Sequence, residues 1–213
     1  MQTLADLRQE YKKHQLSEDM VLSDPITQFN VWFQEALKGG VIEPNAFVLA
    51  TVGDDNRPSA RVLLLKGVEN GGCVFYTNYG SQKSKELVAN PQASMCFLWL
   101  ELERQVRISG AVSKISREES DIYFHSRPRE SQIGAWVSPQ SQVIHSRQEL
   151  ESRLETFSHS FKDGEVPLPD NWGGYILYPD EIEFWQGRPN RLHDRILYSK
   201  SDDNSWKIQR LAP

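Results

Sequence analysis

Trp185, Arg191, His193 and Arg195 fall within eleven residues of the stretch EFWQGRPNRLHDR. The last three alternate, and in an extended strand alternate side chains share one face. Three potential cations on one face repel unless an anion or polar ligand lies among them, so this stretch reads as a ligand site. A second group sits in DIYFHSRPRESQIGAWVSPQS. Tyr123 and Arg127 are four residues apart, on one face of a helix. Ser131 follows Pro128 in the first turn of the next helix. A hydroxyl, a guanidinium, a serine and a helix N-terminus together suit a phosphate dianion. Three more segments carry weaker signals. RVLLLK sets Arg61 and Lys66 around four apolar residues, and equally describes a buried strand with charged ends. YTNYGSQKSKEL ends a strand at Tyr76-Thr77 and brings Lys83 into a helix start, which suits a phosphate or is simply solvated. ERQVRISG carries Gln105, able to hydrogen-bond a planar heterocycle.

Other chemistries find no support. The two common glycine-rich phosphate loops are missing, as is the G-x-S-x-G nucleophile elbow. The histidines at 14, 125, 145, 159 and 193 have no metal-ligand spacing. Cys73 and Cys96 lie in apolar, strand-like runs and read as buried free thiols. The 213 residues carry a net charge of −5, so no global field attracts nucleic acid and an anion site must be a local cluster. No run approaches the roughly 18 apolar residues of a membrane span. MQTLADLRQEYKKH lacks the apolar centre of a signal peptide. The expected location is the cytoplasm, with neither membrane nor nucleic acid as partner.

The elements that position these residues follow from periodicity. Residues 4–14 read as a short helix through Leu4, Leu7 and Tyr11. A longer helix is expected over 24–38, capped by Ser23 or Asp24 and ended by Gly39-Gly40, with Ile26, Phe29, Trp32 or Phe33, and Leu37 as its apolar stripe. FVLATV, ARVLLLKGV and CVFYT read as strands separated by turns, and residues 81–89 as a helix stopped by Asn90-Pro91. SMCFLWLEL and RQVRISGAVSKI are spaced for a hairpin. Capping boxes at Ser116/Glu119 and Ser146/Glu149 predict helices over 117–126 and up to about Phe161. VPLPDNWGG reads as a loop, and YILYP, EIEFWQG, RILYSK and WKIQRL as strands. Many short strands with short turns favour an antiparallel barrel, mainly β with decorating helices (α+β), in one domain over 1–213.

These segments together resemble the pyridoxine 5′-phosphate oxidase family, from about residue 8 to the C-terminus. YFHSRPRESQIGAWVSPQS, VPLPDNWGG, IEFWQG, RLHDR and WKIQRLAP carry the resemblance most specifically. It implies an FMN-binding split β-barrel that works as a homodimer, with FMN in clefts between subunits. Carried over by motif, Arg61, Val62, Leu63, Leu64, Leu65 and Lys66 lie along the FMN. So do Tyr76, Thr77, Lys83, Gln105, Gln140, Ser141, Trp185 and Arg195. The substrate, pyridoxine or pyridoxamine 5′-phosphate, has its phosphate held by Lys66, Tyr123, Arg127 and Ser131. Arg191, Leu192 and His193 lie by its pyridine ring, with Arg191 and His193 as the catalytic pair. Arg8 and Tyr11 belong to a mobile N-terminal segment, residues 1–20, that covers the substrate. Dioxygen is the implied electron acceptor.

The chain departs from the family in three places. Gln82-Lys83 stands where Arg-Lys is usual, which removes one donor to the FMN phosphate. Arg8-Gln9 stands where two arginines are common. GRPN, ahead of RLHDR, brings in a proline.

Overall fold

The computed structural model describes residues 3–7 and 10–213. Among them run β1 (Ala46–Val52), β2 (Pro58–Leu64), β3 (Gly67–Glu69), β4 (Gly72–Asn78), β5 (Gln92–Trp99), β6 (Arg104–Lys114), β7 (Trp172–Gln186), β8 (Asp194–Lys200) and β9 (Trp206–Leu211). They form one antiparallel sheet in the order β2-β1-β5-β6-β7-β4-β3, with β8 on β7 and β9 on β8. β7 joins the two ends. Its first half pairs with β4, its second half with β8, and β6 runs beside both. The β6/β7 register shifts at Ser109/Gly110. A Cβ on Gly110 would run into the Tyr178 carbonyl, so only glycine fits this bulge, and bulges bend the strand that carries them.

Period-two burial makes the strands. Ala93, Met95, Phe97 and Trp99 of β5 point into the core, while Leu98 between them is exposed. Over that face lies α1 (Pro25–Lys38). Asp24 caps it, accepting a hydrogen bond of 2.7 Å from the Thr27 amide, and Pro25 opens it. The helix buries Phe29, Trp32 and Ala36, whereas Leu37, expected in the stripe, is exposed. Phe29 lies 5.1 Å from Phe97 and Trp32 5.1 Å from Phe184, ring centre to centre. Each such fully buried ring contributes about 1.5–3 kcal/mol. Helices α2 (Gln82–Ala89), α3 (Arg117–Ser126), α4 (Arg129–Val137) and α5 (Arg147–Ser160) complete the structure. A second core of Phe124, Ile133, Val137, Val166, Leu168 and Trp172 ties α3 and α4 to the start of β7. No helix of the described residues is long and apolar enough to cross a membrane.

Several expected elements differ. Among the described residues of the expected 4–14 helix, only Leu4–Asp6 form a helical turn, and further along the amides of Lys12 and Lys13 donate to the Glu103 carboxylate. Tertiary acceptors there replace helical ones. The run 60–68 is two strands, since the Leu65 amide donates to Asn45 and the Lys66 amide to Val74. The chain thus leaves β1 and joins β4 at Lys66. YILYP and EIEFWQG are one strand, and Trp172-Gly-Gly already belongs to it. The Ser116/Glu119 box forms, but Ser146 makes no capping bond. Glu149 instead accepts from the His145 amide, one residue earlier. Cys73 is buried as expected, while Cys96 is partly exposed on the outer face of β5.

Candidate functional site

A cleft of about 500 Å³ opens between β2, β4, α3 and α4. The β2–β3 crossover places Lys66 on its wall, and Tyr76 of β4 stacks on Tyr123 of α3 at 3.8 Å. Arg127 follows α3 with extended backbone and enters the cleft beside Ser131. Its Nη2 donates to the Ser131 carbonyl at 2.8 Å, and its Nη1 is buried without a partner. The Trp172 ring lies 4.6 Å from the guanidinium carbon. So the expected set Lys66, Tyr123, Arg127 and Ser131 does converge.

A second cavity of about 410 Å³ shares Val62, Leu63 and Gln140 with the first. Arg61, Gln82, Lys83 and Ser141 line it. Lys83 is 7% exposed, yet its Nζ donates only to neutral acceptors: Thr77 at 3.1 Å, Ser81 at 3.2 Å and Gln140 at 3.0 Å. Burial, then the nearby charge of Arg61, pushes its pKa down to about 8. A buried ammonium without a salt-bridging carboxylate among the described residues is a place for an anion. Arg61 differs, because its Nη2 lies 3.2 Å from Glu86. Glu86 also accepts from Thr51, Ser59 and Gln82. Of the six residues 61–66, five line these clefts, while Leu65 packs into the core.

The remaining candidates lie elsewhere on the chain. Trp185 of β7 sits in register between Gln105 of β6 and Arg195 of β8. Gln105 and Trp185 border one cavity with Tyr11. Tyr11, Arg188, Arg191 and His193 border another, of about 520 Å³. The His193 ring is 4.7 Å from Trp185 and 5.8 Å from Tyr11. Gly187 lets Tyr11 approach, since a Cβ there would lie 2.7 Å from its ring.

The extended alternation of Arg191, His193 and Arg195 is not what forms. Residues 189–191 make a tight turn, with φ of 56° at Asn190 and 61° at Arg191, and β8 starts only at Asp194. Pro189 starts this turn, and its carbonyl accepts from the Leu192 amide. Arg191 and His193 still share a cleft, but Arg195 turns to Glu183, which takes its Nε at 2.9 Å and its Nη2 at 3.0 Å. Leu192 is 69% exposed and borders neither cavity. The Arg188 amide donates to His193 Nδ1 at 3.1 Å. Burial, then Arg191, lowers the His193 pKa below the ordinary value. The ring is therefore neutral near pH 7 with its proton on Nε2, which makes that nitrogen a donor. Arg8 lies outside the described residues.

Sequence reasoning missed Trp172, Glu86 and Glu183. Glu183 and Trp185 alternate in EIEFWQ, which was a usable signal. Trp172 lies in VPLPDNWGG and Glu86 in YTNYGSQKSKEL, but neither segment says that its residue meets a cation on another element.

A curled antiparallel sheet with helices over one end and clefts at its strand junctions defines the split β-barrel class. A pyridoxamine 5′-phosphate oxidase-related, FMN-binding protein from Nostoc punctiforme has this fold, with a TM-score of 0.71 over 87% of this chain and 97% of its own, at 18% identity. Residues 33–161 match the family described as pyridoxamine 5′-phosphate oxidase, and residues 172–213 the pyridoxine 5′-phosphate oxidase C-terminal dimerisation region. The chain belongs to this family of oxidoreductases. Similar curated proteins are the pyridoxine/pyridoxamine 5′-phosphate oxidases of Burkholderia lata, 56% identical, and Salinibacter ruber, 54% identical, each aligned over 100% of both chains. PhzG from Burkholderia lata, solved with tetrahydrophenazine-1-carboxylic acid, is 32% identical with a TM-score of 0.86, covering 93% of this chain and 98% of that one.

Proposed function

We propose that this chain, as a single-domain homodimer, oxidises pyridoxine or pyridoxamine 5′-phosphate to pyridoxal 5′-phosphate with FMN as cofactor. Dioxygen is the final electron acceptor, yielding hydrogen peroxide, with ammonia released from the amine. One observation carries the reading. Two adjoining cavities each present a cation without a salt-bridging carboxylate among the described residues: the buried Lys83 in one and, in the other, the half-buried Arg127 with its Nη1 enclosed and unpartnered. Cofactor and substrate each bring a phosphate of roughly −1.5 to −2 charge, by analogy with phosphorylated side chains. A flavin reductase on the same barrel would have no use for the second.

In this reading Lys83, Arg61, Thr77 and Gln140 hold the FMN phosphate end, and Val62 to Leu64 lie along the cofactor with Ser141. FMN, when bound, supplies the hydride acceptor. Lys66, Tyr123, Arg127 and Ser131 anchor the substrate phosphate. Trp185, Gln105, Arg191 and His193 come to this cleft from the second subunit, with Arg195 braced by Glu183 behind them. The match of residues 172–213 to a dimerisation region supports that arrangement. Arg191 stacks on the pyridine ring and holds it in place, which a lysine would not do. His193 donates from Nε2 to the C4′ substituent or ring hydroxyl. Tyr11, already against Trp185 and His193, excludes water from above.

The deciding experiment is anaerobic addition of pyridoxine 5′-phosphate to the purified protein, followed in the visible spectrum. Bleaching of a flavin band, restored with peroxide on admitting oxygen, is expected. A protein that binds no FMN, or whose band is unmoved by the substrate, would overturn the reading.

A further inference from the structure

Arg61, Arg127 and Arg195, three arginines of the expected ligand set, are compensated differently. Arg61 has Glu86 and Arg195 has Glu183, each within salt-bridge distance. Arg127 has no such carboxylate. Its guanidinium carbon lies 4.6 Å from the Trp172 ring centre and 5.6 Å from that of Phe124. Burial lowers its pKa from the ordinary arginine value. A cation taken out of water needs compensation, and an aromatic face supplies a negative quadrupole without a net charge. The difference matters for a site that takes a dianion. A carboxylate beside Arg127 would compete with the phosphate for the same donors, whereas an indole stabilises the empty site and leaves the full charge available.

Trp172 is itself held in place. It is 7% exposed, its ring is 5.5 Å from Tyr76, and its backbone pairs with Asn78 of β4. The Ser131 carbonyl fixes Nη2 of Arg127, so the indole and this one bond together set the guanidinium and leave Nη1 for a ligand.

We propose that Trp172 is a positioning residue of the phosphate-ester site, acting through Arg127 as its uncharged counter-surface. The inference rests on the proposed function above, and its test separates the two. Binding of pyridoxal 5′-phosphate and of unphosphorylated pyridoxal is measured by calorimetry on the FMN-loaded protein, for wild type, Trp172→Leu, Arg127→Met and the double variant. Trp172→Phe, which keeps a smaller ring, guards against a folding defect, and thermal melts accompany every variant.

Cation–π contacts of this kind correspond to about 2- to 30-fold in affinity. Trp172→Leu is expected to weaken pyridoxal phosphate within that range, with Trp172→Phe intermediate. The loss should shrink to under about twofold in the Arg127→Met background, because the partner is gone. Pyridoxal itself should show little change, and in turnover KM should move more than kcat. An equal loss in both Arg127 backgrounds, or an equal loss for the phosphorylated and unphosphorylated ligands, overturns the inference while leaving the proposed function intact. A wild-type protein that binds no pyridoxal phosphate overturns both.

Discussion

Lys83→Met is expected to stabilise the flavin-free protein while weakening FMN. In the empty site the ammonium is buried and its pKa is pushed from 10.5 to about 8. One pKa unit is about 1.4 kcal/mol, so the charged form is disfavoured by about 3 kcal/mol at neutral pH. Methionine relieves that cost. It does not strand the three acceptors, because Thr77 and Gln140 lie 3.3 Å apart and Ser81 lies 3.2 Å from Ser84, within hydrogen-bond reach of each other. The net gain should be about 1–3 kcal/mol, or about 2–4 °C in Tm for each kcal/mol in a chain this long. With FMN the balance reverses. A charge-assisted hydrogen bond is worth about 1.5–3 kcal/mol, so Lys83→Met should raise the FMN Kd by about 10- to 150-fold. The pH signs follow. Because the folded pKa is depressed, wild-type flavin-free protein should gain stability as pH rises from about 8 towards 10.5, and Lys83→Met should not. FMN affinity of the wild type should fall as pH climbs through about 8, since the bound anion needs the protonated form. Thermal melts of stripped protein and FMN fluorescence titrations at several pH values measure both. A Lys83→Met protein that is less stable when stripped and binds FMN within twofold of wild type would refute the reasoning.

Three other outcomes are expected. Arg191→Met and His193→Asn should keep FMN bound but lower kcat/KM by about 100-fold through lost positioning, with Arg191→Lys rescuing little; near wild-type kinetics would make that turn purely structural. Gln82→Arg should tighten FMN by less than about tenfold, because Glu86, which Gln82 already meets at 2.9 Å, takes part of the new charge. The gain should grow in a Glu86→Gln background, and titrations giving the same gain in both would remove Glu86 from the account. His125 places its ring nitrogens 3.0 and 3.1 Å from the carbonyls of Asp121 and Val166, which only the imidazolium can satisfy together. Burial opposes that charge, but the two carbonyls and the carboxylates of Asp121 and Glu165 outweigh it and raise the pKa. Its stabilisation is complete below the ordinary value of 6.5 and lost as pH rises through the raised one. Melts between about pH 6 and 8 should therefore slope downward for wild type and flatten for His125→Gln; an unchanged slope would exclude the histidine.

What the sequence disclosed depends on the distance over which each feature is decided. Asp24 caps α1 and Ser116 caps α3 through partners three residues away, so both helices could be placed from their own residues. The strands of β5 and β6 alternate because one face of the sheet is buried, and that too is local. The tight turn at 189–191 was lost because an alternating RLHDR looks like a strand unless the positive φ angles before it are known. At the end of the expected 4–14 helix the partner is non-local, since the Glu103 carboxylate accepts from the Lys12 and Lys13 amides in place of helical carbonyls. The site divides in the same way. Tyr123, Arg127 and Ser131 could be grouped because two adjacent helices and the short junction between them carry all three. The state of each cation could not, because it is set by a residue on another element: Glu86 for Arg61, Glu183 for Arg195 and Trp172 for Arg127. Three identical guanidinium groups thus differ in chemistry through their partners alone. Arg127 is left open to a dianion because an indole, not a carboxylate, reaches it from the first residue of β7.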